Sequence, residues 1–225
     1  MSFEIICPNC GAPSVSSVGV CPYCKSVMAT KKDKGTDGHL ISVLRKKYKE
    51  GHLGFVLNSC ETSLKEKPKQ KENVNFLLFY IQVLMESDGP TTKIRSLLSN
   101  IFLIDPENQM AQDFLELLEA RELFTDERND PGEIKIQKLI KRSPKNALAY
   151  FLLGSHYFWV EKDSVHALIH LEKSVKFNPH FGRAWGCLAM LYKEMGNRTL
   201  AKEAMKKAVA LEPDPSMKKL LRSSV

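Results

Sequence analysis

The chain has 225 residues, a formal charge of +7, and 43% hydrophobic and 26% charged residues. This composition excludes a wholly disordered chain, and the length has room for one medium domain with a small one or for a repeat array. No basic stretch followed by an apolar core is present at the N-terminus, so no signal peptide is predicted. The longest apolar run, 76–85, is about half of the roughly 20 residues that a membrane helix needs. We therefore expect a cytoplasmic protein without a membrane segment.

Four cysteines form two Cys-x-x-Cys pairs near the N-terminus, in CPNCGAPSVSSVGVCPYC at 7–24. In a reducing compartment such paired cysteines are better explained as metal ligands than as disulfides. A site made of four cysteines has no open position for water or a substrate, which indicates a structural metal. Between the pairs, a short β-hairpin is predicted around Gly19.

This segment resembles a short bacterial zinc ribbon of the Cys-Pro-x-Cys-Gly…Cys-Pro-x-Cys type, although Lys25 stands where the second turn usually has glycine. The resemblance implies a ribbon domain at 1–28 in which four thiolates hold one zinc ion, which would supply most of the folding energy of so small a module. Iron in an electron-transfer site is the second interpretation, and a disulfide redox centre is the third. The implied ligands are Cys7, Cys10, Cys21 and Cys24.

The net charge lies in one segment directly after the cysteines. Residues 25–71 contain 12 Lys and Arg against 5 Asp and Glu, an excess equal to that of the whole chain. Within this segment, 29–38 lacks an apolar period and is predicted to be a flexible basic linker. A solvated surface is one interpretation, favoured by the many lysines and few aromatic residues; nucleic acid or an acidic partner is the other. The candidate contacts are Lys31, Lys32, Lys34, Arg45, Lys46, Lys47 and Lys49.

Prolines recur at nearly constant intervals through the rest of the chain. The intervals are 38, 38, 35 and 34 residues, and the prolines are Pro68, Pro106, Pro144, Pro179 and Pro213. Between them, apolar residues at i, i+3 or i+4, and i+7 predict helices with one buried stripe each. Proline ends the second helix of a unit because its ring cannot continue the helix. A unit of this kind cannot bury its own stripe, so the pattern predicts a stacked repeat array.

The last unit, GRAWGCLAMLYKEMGNRTLAKEAMKKAVALEPDP, resembles the tetratricopeptide repeat, a helix–turn–helix of 34 residues. The family pattern falls on Trp185, Leu188, Ala189, Tyr192, Gly196, Ala201, Met205, Ala208 and Pro213. The unit before it fits with one extra residue in its turn, and three degenerate units precede these two. The resemblance implies an all-α, right-handed solenoid of about five helical pairs at 39–225, with a short capping helix in the tail after Pro213.

The resemblance also implies a groove that binds a segment of a partner protein. Chaperone-binding members of the family hold a C-terminal carboxylate with a Lys/Asn/Arg clamp, and this chain lacks the clamp asparagines, so a chaperone partner is not expected. Phe158 and Trp159 have a second interpretation, packing against the next pair or against the longer turn. The candidate groove residues are Leu148, Phe151, Ser155, Phe158, Trp159, Phe79, Val83, Arg183 and Met190.

No phosphate-binding glycine loop, serine elbow or carboxylate pair occurs, so neither an enzyme nor a small-molecule substrate is expected. Cys60 and Cys187 are isolated within helical patterns and are predicted to be small apolar core residues. We expect a non-catalytic adaptor that uses the repeats, with the ribbon as a structural or secondary contact module. The alternative is a nucleic-acid-binding regulator that uses the ribbon and 25–71.

Overall fold

The computed structural model describes residues 5–6, 13–14, 36–125 and 129–211. These ranges contain two short strands and ten α-helices. The helices are α1 (Thr36–Lys49), α2 (Leu53–Glu66), α3 (Val74–Glu86), α4 (Thr91–Ile104), α5 (Gln109–Thr125), α6 (Asn129–Arg142), α7 (Ala147–His156), α8 (Ser164–Phe177), α9 (Gly182–Glu194) and α10 (Arg198–Leu211). In the ranges given, no helix has both the length and the apolarity needed to cross a bilayer.

The two strands lie near the N-terminus. Strand β1 (Ile5–Ile6) pairs antiparallel with β2 (Pro13–Ser14), with Ile5 opposite Ser14. The pairing therefore brackets 7–12 in the sequence, the segment that carries the first Cys-x-x-Cys pair. The hairpin predicted around Gly19 lies outside the described residues, as do the four paired cysteines.

The ten helices form five consecutive pairs, which confirms the prediction of an all-helical repeat array. The two helices of the fourth and fifth pairs pack most closely against each other, and the second helix of the fourth pair also packs against α9. Residues of all five pairs contribute to one continuous hydrophobic core. The stripe of each unit is therefore buried by its neighbours, as expected for a solenoid.

Five helices begin at side-chain caps. The side chains of Asn73, Asn108, Asn146, Asp163 and Asn197 accept hydrogen bonds from backbone N–H groups in the first turns of α3, α5, α7, α8 and α10. These bonds satisfy amides that have no partner inside the helix.

The first helix begins earlier than expected. Helix α1 begins at Thr36, three residues before the predicted domain boundary, because a first helical turn needs no apolar residue and so leaves no period to detect. Between the first and second pairs, Pro68–Glu72 forms a 3₁₀ turn in which the Gln70 side chain is buried.

The extra residue of the fourth unit is accommodated by a π-helical turn. Helix α7 continues as Tyr157–Glu161 with i to i+5 geometry, and Lys162 then adopts a left-handed conformation with φ of 56°. A π-turn takes up one more residue than an α-turn, and it rotates the side chains that follow. Phe158 is buried as a result, while Trp159 and Val160 are about half exposed.

The array closes on itself. Gly51, in the turn between α1 and α2, abuts the end of α10: a Cβ placed on Gly51 would lie 2.6 Å from the carbonyl oxygen of Ala210. At the end of α1, the hydroxyl of Tyr48 accepts a hydrogen bond of 2.8 Å from Asn178, in the loop between α8 and α9. The first pair therefore contacts the fourth and fifth pairs, which the repeat pattern did not predict.

Candidate functional site

A cavity of about 750 Å³ lies where the first pair meets the fifth, and we call it the central cavity. Its walls come from α2, the end of α3 and α9, with one residue from the end of α10. Its volume falls in the range of ordinary ligand sites. The apolar side chains that dominate the wall include Leu53, Leu57, Tyr80, Leu84, Phe181, Met190 and Leu211.

A second cavity of about 270 Å³ adjoins the first on the side of α5 and α7. The two cavities share four lining residues, Asp88, Trp159, Arg183 and Cys187. These shared side chains therefore form the boundary between the two spaces, at the centre of the closed array.

Trp159 is the aromatic residue of this boundary, and 48% of its surface is accessible. Its ring lies beside the buried ring of Phe158 and beneath the ammonium of Lys162, 5.9 Å from the ring centroid. Tryptophan combines a large contact area with a polar N–H, and it is enriched among the residues that dominate binding energy at interfaces. An accessible indole beside an apolar cavity is thus well suited to hold a partner side chain.

The boundary also contains an ionic cluster around Asp88. Asp88 ends α3 in a left-handed conformation with φ of 59°, and its carboxylate lies 3.1 Å from Arg121 and 3.4 Å from Arg183. Burial lowers the pKa of Arg121, while the Asp88 charge opposes this shift. The guanidinium of Arg183 also lies over the ring of Phe151, 5.2 Å from its centroid. The cluster therefore joins α3, α5, α7 and α9 across the centre of the molecule.

A buried polar cluster lies beside the cavity, where the first pair closes the array. The carboxyl of Glu86 accepts hydrogen bonds from the hydroxyl of Tyr48, from Gln82 at 2.9 Å and from Asn178 at 3.0 Å. Burial raises the pKa of Glu86 to about 7, although these three hydrogen bonds act in the opposite direction. Burial and the neighbouring Glu86 raise the pKa of the Tyr48 hydroxyl well above its ordinary value. The protonation state of this cluster thus changes near neutral pH.

The two isolated cysteines are buried, which confirms their prediction as core residues. Burial raises the pKa of Cys60 to about 12 and that of Cys187 to about 11. Both side chains are therefore thiols at neutral pH, and a thiol is a poor nucleophile.

The four predicted metal ligands cannot be placed. Cys7, Cys10, Cys21 and Cys24 lie outside the described residues, and within the described ranges no group of three His, Cys, Asp or Glu side chains could hold a metal ion. The zinc site stays a prediction.

The predicted groove residues do not form one exposed strip. Leu148, Phe151, Phe158, Phe79 and Val83 are buried in the core, where Phe79 packs against Tyr48 and Phe151 packs against Phe181. Ser155, Arg183 and Met190 are partly buried, and Trp159 is exposed. The four accessible residues all line one of the two cavities, and their role in partner binding stays a prediction.

The predicted basic contact residues that can be placed are engaged with the fold. Lys47 pairs with Glu50 at 2.8 Å, and Lys46 reaches the same carboxylate at 4.0 Å. The guanidinium of Arg45 lies over the ring of Phe79, 5.8 Å from its centroid. Lys49 lies close enough to His180 to lower the pKa of the imidazole, after the larger effect of burial. Lys31, Lys32 and Lys34 lie outside the described residues.

The buried polar cluster and the ionic cluster were not predicted from the sequence. Glu86 directly follows a run of apolar residues. A carboxylate in this position is expected to be buried with its neighbours, and a buried carboxylate needs hydrogen-bond partners. Asn178 precedes Pro179, which ends a repeat, and the sequence predicts an ordinary turn residue there. Their association could not be foreseen, since 92 residues separate them.

The fifth pair has the geometry and register predicted from its apolar pattern. Residues 182–215 match the family model described as "Tetratricopeptide repeat". The match begins at Gly182, the position predicted as the first of the repeat. The repeat thus covers α9 and α10, the two helices that form one wall and one edge of the central cavity.

One curated relative contains similar repeats. "Tetratricopeptide repeat protein 37" of Xenopus laevis is 31% identical over 86 residues, which are 36% of this chain and 6% of the relative. The aligned part is therefore a small fraction of that protein.

Two solved structures resemble the repeat array. The first is described as a thermophilic TPR protein of Thermus thermophilus, with 16% identity and a TM-score of 0.48 over 83% of this chain and 97% of that chain. The second is described as "MamA 41-end from Desulfovibrio magneticus RS-1", with 16% identity and a TM-score of 0.40 over 79% of this chain and 96% of that chain.

Proposed function

We propose that this protein is a non-catalytic cytoplasmic adaptor whose central cavity binds a short apolar segment of a partner protein. Support comes from the cavity of about 750 Å³ together with the half-exposed indole of Trp159 at its boundary. Tetratricopeptide repeats are protein-interaction scaffolds, and the matched repeat supplies α9, one wall of this cavity.

The chemistry of the wall specifies the kind of segment. Leucine, phenylalanine and methionine side chains from α2, α3 and α9 dominate, so burial of apolar partner side chains supplies the binding energy. Glu61 on α2 and Arg183 on α9 bring opposite charges to the same cavity. Such charges contribute more to the orientation of the partner than to its affinity.

A peptide selection tests this proposal without knowledge of the natural partner. A peptide library displayed on phage is selected against the full chain, and the selected peptides are titrated against purified variants. Trp159→Ala combined with Met190→Ala removes two cavity side chains, and we expect binding at least about tenfold weaker because such anchors contribute about 1–2 kcal/mol or more. The control is Val165→Ala on α8, where the side chain is 64% exposed and outside the cavity lining.

The outcome is decided by the difference between these variants. Weaker binding by the cavity variant with unchanged binding by Val165→Ala supports the proposal. Equal affinity for all three proteins places the binding surface elsewhere and contradicts it, as does a selection that enriches no peptide.

We also propose that the N-terminal segment is a structural zinc ribbon that gives the adaptor a second contact module. The donor set of two Cys-x-x-Cys pairs fits a tetrahedral zinc ion, and Cys7, Cys10, Cys21 and Cys24 would hold it. In the sequence, Cys7 and Cys10 lie between β1 and β2. Two weak contacts on one chain bind a partner far more tightly than either alone.

A further inference from the structure

The contact that closes the array is chemically unlike the contacts that build it. Neighbouring pairs share an apolar core. The closing contact instead includes the hydrogen bond from Asn178 to Tyr48, the edge-on packing of Tyr48 against His180, a hydrogen bond between His180 and the backbone of Lys49, and the approach of Gly51 to the backbone of α10.

The position of Gly51 shows how close this approach is. A Cβ on Gly51 would lie 2.6 Å from the carbonyl oxygen of Ala210 and 3.4 Å from the Cα of Leu211. Atoms of the backbone cannot move aside as a side-chain end can, so a methyl group at Gly51 would force the first pair away from α10.

The closing contact also determines access to the central cavity. One wall of the cavity belongs to α2 of the first pair, and the facing wall belongs to α9 of the fifth. Movement of the first pair away from the fifth therefore separates the two walls and exposes the side chains between them, Cys187 among these.

We propose that the first helical pair is a gate, which controls access to the central cavity by breaking and remaking its contact with Asn178, His180 and the end of α10. In the closed state described above, four apolar side chains of the cavity wall are buried: Tyr80, Leu84, Phe181 and Cys187. The open state presents the cavity walls to a partner segment, and the segment then stabilises that state. The gate rests on the proposed function, because it regulates the same site.

The test uses two glycines with the same backbone conformation. Gly51 and Gly196 both lie in the turn within a helical pair, with φ of +80° and +77°. Alanine at either position imposes the same strain of a left-handed conformation. Only Gly51→Ala adds a clash, because a Cβ on Gly196 meets nothing within 4 Å. Gly196→Ala is therefore a matched control for the strain.

The rate at which a buried thiol is labelled measures how often the gate opens. Each full-length variant is treated with N-ethylmaleimide, and the labelling rates of Cys187 and Cys60 are measured separately by peptide mass spectrometry. Cys187 lines the cavity, whereas Cys60 on α2 is fully buried and lies close to Tyr80 of α3. Opening of the gate exposes Cys187 alone, whereas unfolding of the first pair exposes Cys60.

We expect Gly51→Ala to label Cys187 about tenfold or more faster than the wild type, a change of about 1.4 kcal/mol in the opening equilibrium. Gly196→Ala should label Cys187 at the wild-type rate, and neither variant should change the rate of Cys60. Equal Cys187 rates in the two glycine variants overturn the gate. A joint rise at Cys187 and Cys60 overturns it too, since the first pair would then unfold rather than move as a unit.

A second variant covers the case in which Gly51→Ala does not fold. Tyr48→Phe removes the hydrogen bond from Asn178, and the one to Glu86 with it, without adding an atom, and it should also accelerate Cys187 labelling with no change at Cys60. An unchanged Cys187 rate in Tyr48→Phe overturns the gate. Since no peptide takes part, this readout is independent of whether the cavity binds one.

Discussion

The hydroxyl of Tyr48 and the side-chain amide of Asn178 lie 2.8 Å apart, although 130 residues separate them in the chain. Tyr48 lies in the last turn of α1 and Asn178 directly follows α8, so this hydrogen bond forms only after the intervening pairs have stacked. Both side chains also contact Glu86 of α3, which places one carboxyl between the first, second and fourth pairs. The contact thus depends on how the pairs between Tyr48 and Asn178 are stacked.

The raised pKa of Glu86 predicts that stability depends on pH. Its pKa is about 7 in the folded protein and close to the ordinary value of 4.5 in the unfolded chain. A carboxyl whose pKa is higher in the folded protein than in the unfolded chain stabilises the fold fully when the pH is below its unfolded pKa. This contribution is lost as the pH rises through the folded pKa. Glu86→Gln is uncharged at every pH, so the variant should lack this loss.

Urea denaturation across about pH 5 to 8 measures the effect as the difference between the wild type and Glu86→Gln. Below pH 7, the ratio of the unfolding equilibrium constants of the wild type and Glu86→Gln should change by up to about tenfold per pH unit. Above pH 7, this ratio should stay constant. His180 beside Tyr48 titrates as well, with a pKa that burial and Lys49 lower, but it is present in both proteins. Parallel curves throughout would show that Glu86 does not titrate in this range.

Phe151 and Trp159 should differ in their effects on stability, although the sequence assigned both to one groove. Phe151 is buried, with its ring 4.6 Å from that of Phe181, so Phe151→Ala should cost about 3–5 kcal/mol in the free energy of unfolding. Trp159 is half exposed, and Trp159→Ala should cost about 1 kcal/mol or less. Urea denaturation of both variants decides the matter, and equal losses would contradict the described burial.

The zinc ribbon predicts one zinc ion per chain, measured by metal analysis of the purified protein. Cys7→Ser should abolish zinc binding while the thermal transition of the helices stays unchanged, because a flexible linker is predicted between the two. Cys60→Ala is the reciprocal control: it should keep the zinc and lower the stability of the helices, since Cys60 is fully buried. If Cys7→Ser lowers both, the ribbon docks onto the repeats.

Heparin chromatography separates the adaptor from the nucleic-acid-binding regulator. The ion pairs of Lys46 and Lys47 with Glu50 favour a solvated surface, so we expect weak retention at low salt. A regulator that contacts many phosphates would instead be retained strongly, with an affinity that falls steeply with salt concentration. Retention of that kind, reduced by Lys46→Ala, would favour the alternative.

Much of the architecture follows from the sequence alone. The proline spacing and the apolar stripes predicted five helical pairs, and the fifth pair has the predicted register from Gly182. These features are local, since a helix of this kind is specified by residues three or four apart and ended by a proline or a glycine turn. The burial of Cys60 and Cys187 followed from the same periodicity.

Only the tertiary structure decided which of the helix faces are available for binding. Val83 and Phe151 were predicted to face a groove, and both are buried in the core, Phe151 against Phe181. The closure depends on the small rotation between successive pairs, which accumulates over the array and is set by side-chain packing rather than by any local motif. The Glu86 and Asp88 clusters likewise join residues distant in the chain, because periodicity specifies which face of a helix is apolar but not which distant residue will meet it.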